Sequence, residues 1–147
     1  MPIRNYTTKV PANRSIQEIQ ETLVAHGATG VLLEYEIGTG RIQALKFILV
    51  LNERRLPFQL PVDWRAFQRV LEKQRVAKYR DEDYCYRVAW RVVRDWVMSQ
   101  MALFETQMVT IPQIFLPYAV TRSGETLYEQ ALKNPRLLGE GTDDEQS

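Results

Sequence analysis

Cysteine and histidine are nearly absent from this chain, which has one of each, Cys85 and His26, among 147 residues. A lone cysteine makes no internal disulfide, so nothing here requires an oxidising compartment. A histidine-based metal site or a hydrolase triad would have to use His26, whose place just before Gly27 suits a helix C-terminus instead. Cys85 has only Asp, Glu and Tyr close to it, not the basic neighbours that lower a thiol pKa, and is expected to be structural. Long apolar runs are missing too. No stretch reaches the roughly 18 residues of a membrane helix, and Met1-Pro-Ile-Arg-Asn-Tyr lacks the apolar centre of a signal peptide. The expectation is a cytoplasmic protein with no membrane partner. The chain also lacks a P-loop, a dinucleotide-binding glycine pattern, HExxH and GxSxG. No enzyme, metal or cofactor is therefore expected.

What is present is ordinary globular usage, 45% hydrophobic and 25% charged, in a length suited to one domain. The net charge is only +1, but it is unevenly placed. Residues 139–147 carry Glu140, Asp143, Asp144 and Glu145 and no base, so residues 1–138 hold +5. Between Arg54 and Arg94 there are eleven Lys/Arg against five Asp/Glu. The acidic tail, 139–147, has nothing to bury and is expected to be disordered; residues 1–138 form the domain.

Hydrophobic periodicity predicts an α+β fold. Ile3–Val10 alternates as a strand. Ser15-Ile-Gln-Glu18 reads as a capping box opening a helix, with Ile16, Ile19, Leu23 and Val24 at helical spacing and His26-Gly27 as its stop. Val31–Ile37 alternates, with Val31, Leu33, Tyr35 and Ile37 on one face. Gly38–Arg41 turns the chain into the nearly continuous apolar run Ile42–Leu51. Asn52–Arg55 is a second turn, leading to Leu56–Pro61, where two prolines allow only a short edge strand. Residues 1–61 thus read β-α-β-β-β, a small antiparallel sheet with a helix on one face.

Residues 62–138 read as helical. Asp63 is a candidate N-cap, with Phe67, Val70, Leu71 and Ala77 on the apolar side. A break falls near Tyr79–Asp81. The acids Asp81, Glu82 and Asp83 then suit the first turn of a long central helix near Asp81–Val109. Its stripe Tyr86, Trp90, Val93, Val97, Met101, Phe104, Met108 has no miss in helical spacing. Val88, Val92, Trp96 and Leu103 form a second stripe, and Arg87, Arg91, Arg94 and Glu105 a third, polar one. Trp90 and Trp96 are therefore expected in the core rather than as stacking platforms. Pro112 suits the start of a short helix after Thr110, and Thr126–Lys133 reads as the last helix, stopped by Asn134-Pro135.

The basic side chains are the main functional candidates. Arg54, Arg55, Arg65, Arg69, Lys73, Arg87, Arg91 and Arg94 lie on the second turn and two middle helices, where a folded pair of helices presents them together to nucleic-acid phosphates. A solvated polar face is the competing reading, with Glu72, Asp95 and Glu105 as partners for weak surface pairs. Glu34 with Glu36, or Asp81, Glu82 and Asp83, could hold Mg²⁺ in a nuclease-like site, but strand acids are usually solvated and helix-start acids answer the dipole.

Several segments taken together resemble a known group: Ala89-Trp90, Asp95-Trp96 and Gln100-Met-Ala-Leu, then Phe115-Leu-Pro-Tyr118 and Gly124-Glu-Thr-Leu-Tyr128, with Tyr6-Thr-Thr-Lys9, Ile19 and His26-Gly27 near the start. From about Asn5 to Tyr128 the chain resembles a family of small bacteriophage, prophage and mobile-element proteins with no established activity. No residue role follows from it. It implies a setting among DNA replication and recombination functions or small accessory genes. Two functions are expected: non-catalytic DNA binding through the basic helices, or a protein-interaction module acting on a host or phage protein. A homodimer through an apolar stripe of the long helix fits either.

Overall fold

The computed structural model describes residues 9–139. All but Lys9 and Val10 of the strand expected at Ile3–Val10 lies outside them, and those two residues are not strand; the expected disordered tail lies outside them except for Gly139. The described chain is α+β. Helix α1 (Ala12–Ala25) precedes strands β1 (Gly30–Tyr35), β2 (Ile42–Leu51) and β3 (Arg54–Gln59). Helices α2 (Trp64–Lys73), α3 (Glu82–Glu105), α4 (Ile111–Phe115) and α5 (Leu127–Lys133) follow, with 3-10 turns at Ala77–Arg80, Leu116–Tyr118 and Pro135–Leu137.

Helix α1 starts one turn before the expected capping box. Pro11 precedes it in extended conformation, and its carbonyl accepts from the amides of Arg14 and Ser15. The early start lets Ala12 join Ile16, Ile19 and Leu23 in one buried stripe. Ser15 is consequently inside the helix, fully buried, with no hydrogen-bond partner for its hydroxyl among the described residues, and Glu18 turns towards α3. The stop is as expected. His26 ends the helix, Gly27 takes φ +109°, and the Ala28 amide donates back to the Leu23 carbonyl at 2.9 Å.

The sheet is antiparallel in the order β1-β2-β3. Central β2 sends Leu45, Phe47 and Leu49 into the core, while Lys46 points out to Glu34 at 2.6 Å. Asn52 and Glu53, both at positive φ, make the two-residue turn into β3, which is an edge strand as its proline suggests. In β1, Val31 and Leu33 face the core, but the expected alternation fails beyond them: the pairing is irregular between Glu34 and Tyr35, and Tyr35 and Ile37 are exposed.

Helix α3 is the central helix. It is capped by Asp81, whose carboxylate accepts from the Tyr84 amide, and it ends at Glu105, so Met108 lies beyond it and is exposed. On one side Trp90, Val93, Val97 and Met101 share a core with α1, the inner face of the sheet and Phe115. On the other, Tyr84, Cys85, Val88 and Ala89 pack with Trp64 and Leu71 of α2. Trp96 is half-buried, edge-on to Phe115 and Tyr118. The first apolar stripe of α3 is thus covered by the chain itself, because α1 and the sheet need it to complete their core, while Leu103 of the second stripe is exposed. No helix among the described residues is long and apolar enough to cross a membrane.

Candidate nucleic-acid interface

The eight basic residues singled out in the sequence differ in what their charged groups meet. Arg65, in the first turn of α2, makes a two-pronged bond to Glu36 at 2.7 and 2.9 Å and lies over the Trp64 ring at 4.3 Å. Those hydrogen bonds, with one from Thr39, hold the Glu36 carboxyl down at about 2. Arg41 also lies over Trp64, at 5.1 Å, and binds Asp83 at 2.8 Å and Glu82 at 3.8 Å. Of the acids considered for Mg²⁺, Glu36, Glu82 and Asp83 thus have arginine partners, while Glu34 pairs with Lys46 and Asp81 caps α3. Among the described residues no three His, Cys, Asp or Glu side chains converge so as to hold a metal ion.

Arg91 and Arg94 share Glu18 of α1, at 3.2 and 2.6 Å, and Arg94 also reaches Asp95 at 3.1 Å. Burial alone would raise the Glu18 pKa, but the Arg94 hydrogen bond and the charges of both arginines keep it below the ordinary value. These half-buried groups bolt α1 to α3. The polar stripe of the long helix is therefore a joint over Arg91 and Arg94, and its free part is Arg87. Arg69 has only a long contact to Asp63, 3.7 Å. Arg54 and Arg55, expected in the turn, are the first two residues of β3, paired with Leu51 and Val50, and are exposed.

Lys73 and Arg87 belong to a different group. Between α2 and α3 the chain runs Lys73, Arg75, Lys78, Arg80 with no acid among them, and Arg87 follows one turn into α3. None of these five cations has an ion pair among the described residues: Asp81 caps α3, Glu82 and Asp83 face Arg41, and the exposed Glu72 beside Lys73 makes no ion pair with any of the five. The first four are exposed. Lys78 and Arg87 lie over the buried Tyr84 ring at 5.5 and 5.6 Å, whose negative face offsets part of their repulsion. Arg80 donates to the Tyr79 hydroxyl at 2.9 Å. The Arg87 Nε is buried without a hydrogen-bond partner among the described residues, an unusual condition for a charged donor.

Arg75, Lys78 and Arg80 carry no helical spacing, since they sit on a turn and a 3-10 segment. The signal that finds them is the acid-free basic run itself. His26 and Cys85 have structural surroundings. His26 donates from Nδ1 to the Thr22 carbonyl at 2.8 Å, sits 3.4 Å from Glu105, and meets Phe104 edge-on. The Cys85 thiol donates to the Tyr79 carbonyl at 3.2 Å and is pushed up to about 11, first by burial and then by Asp81 and Glu82. No protein-family model, curated protein or solved structure matches the chain.

Proposed function

We propose that the protein binds DNA without catalysing a reaction on it, as a cytoplasmic accessory protein, and that the connection between α2 and α3 makes the contact. The observation that carries this reading is the set of five cations, Lys73, Arg75, Lys78, Arg80 and Arg87, none of them ion-paired among the described residues. Unpaired positive charges held close together cost electrostatic energy in the free protein, and a phosphate backbone relieves it while releasing condensed counterions. Sequence readout would need side chains reaching base edges; this patch offers charge, so the binding is expected to follow backbone geometry rather than sequence. The resemblance to phage and mobile-element proteins supports the same reading by context, with replication or recombination as the setting.

Fluorescence anisotropy with labelled single- and double-stranded oligonucleotides tests it. Binding is expected at about 50 mM salt, weakening with a log–log slope of about −3 to −5 if four or five cations meet phosphates. The triple variant Arg75→Glu, Lys78→Glu, Arg80→Glu, all at exposed positions, is expected to abolish binding while leaving the thermal transition in place. Absence of salt-sensitive binding to either oligonucleotide at that salt concentration would sink the proposal.

A further inference from the structure

The cations of the α2–α3 connection stand on a segment fastened to both helices. The Tyr79 carbonyl accepts from the Gln68 side chain of α2 at 3.0 Å and from the Cys85 thiol of α3 at 3.2 Å. The Val76 amide donates to the Leu71 carbonyl at 3.0 Å. Lys73, Arg75, Lys78 and Arg80 are exposed and project from a backbone that is already held in place. The aromatic rings of the same region are otherwise occupied. Tyr84 is 2% exposed, with Lys78 and Arg87 over its ring. Tyr79 packs on the core between α2 and α3 and carries Arg80 over its ring at 5.2 Å. Phe67 is packed on that core as well, and Trp64 is buried in it. Tyr35 and Tyr128, which are exposed, belong to β1 and α5, on neither of which these cations lie.

We infer that this patch prefers double-stranded to single-stranded DNA and meets it through phosphates alone. The inference rests on the DNA-binding reading and narrows it. Proteins that hold single strands pair a cationic surface with aromatic faces on which bases stack, and stacking contributes about fivefold or more in affinity per base. A patch whose rings are buried or covered by its own cations lacks that contribution. A duplex does not need it, because its bases are already stacked on one another. Its two strands present one charge per about 1.7 Å of axis, against about 3.4 Å for one strand. Fixed cations also meet a stiff array without the entropy cost of ordering a flexible chain. Counterion release sets the size of the preference. For four or five phosphate contacts, log affinity falls with log salt with a slope of about −3.6 to −4.5 on a duplex and about −2.8 to −3.5 on a single strand. Lines that meet near about 1 M salt, where release contributes nothing, stand about tenfold apart at about 50 mM.

Fluorescence anisotropy of the full chain at about 50 mM salt tests this with three probes of equal length: a duplex, a single strand unable to pair with itself, and a single strand of abasic sugar-phosphate. The duplex is expected to bind about tenfold more tightly than the intact single strand and with the steeper salt slope. The abasic strand is expected to bind within about twofold of the intact one. A duplex advantage below about threefold, or any preference for the intact single strand, overturns the inference and leaves DNA binding standing. An abasic strand bound more than about fivefold more weakly than the intact one overturns it too, since that loss is the signature of a base stacked on a ring. Absence of salt-sensitive binding to all three probes removes the DNA-binding reading and this inference with it.

Discussion

At the scale of single residues, the clearest electrostatic arrangement is Glu36 between Arg65 and Thr39. Its carboxyl is lowered from 4.5 to about 2 by those hydrogen bonds. A depressed folded-state pKa means that the ion pair adds stability above the unfolded value and loses it as pH falls through the folded one. Thermal denaturation of wild type and Glu36→Gln should therefore show the variant less stable at pH 5–7 by a constant margin, narrowing between about 4.5 and 2 and vanishing below. A margin that persists below pH 2 would mean the glutamine harms packing rather than charge pairing. Sequence reading saw Glu36 as a strand acid sharing a face with Glu34, and could not find its partner. Arg65 lies 29 residues away, and only tertiary folding sets the connection after β1 beside the first turn of α2.

At the scale of elements, local signals were read well wherever backbone chemistry decides. Asp63, Asp81, Thr110 and Thr126 all cap helices through their side chains, because a free helix N-terminus needs an acceptor within three residues of chain. The exception is α1. Ser15 and Glu18 have the spacing of a capping box, but burial of Ala12 extends the helix past them. The β2–β3 turn offers a test of local strain. Glu53 sits at φ 66°, a conformation that favours glycine. Glu53→Gly, completing an Asn-Gly pair, is expected to stabilise the protein by about 1 kcal/mol, raising Tm by a few degrees. An unchanged or lower Tm would indicate that chain entropy gained in the unfolded state outweighs the relieved strain.

At the scale of the whole molecule, the fold sorts arginines into structural and available ones. Arg94 and Arg91 hold Glu18 across the α1–α3 joint, so Arg94→Ala should cost about 1–2 kcal/mol of stability and leave DNA affinity within about twofold. On the proposed DNA-binding reading Lys78→Glu should do the reverse, since the loss of a phosphate contact changes affinity and its salt slope rather than the core. Denaturant titration and anisotropy on the same two proteins separate the effects. If Arg94→Ala weakened DNA binding as much as Lys78→Glu did, the contact surface would be the α3 stripe instead of the α2–α3 connection.

The α+β class, the helix of buried stripes, the edge strand and most helix boundaries followed from periodicity, proline placement and capping residues. These are properties of neighbouring positions, and the chain enforces them within a few residues. Which charges are spent and which are free did not follow, because it depends on partners far away in sequence: Glu18 with Arg94, Glu36 with Arg65, Asp83 with Arg41. The same limit hid the outward apolar side of α5, where Tyr128 and Leu132 are exposed, since amphipathicity defines two sides of a helix and only packing decides which one meets water. The sequence alone determined most of the elements; tertiary structure decided the surfaces, because long-range pairing consumes some side chains and leaves others exposed.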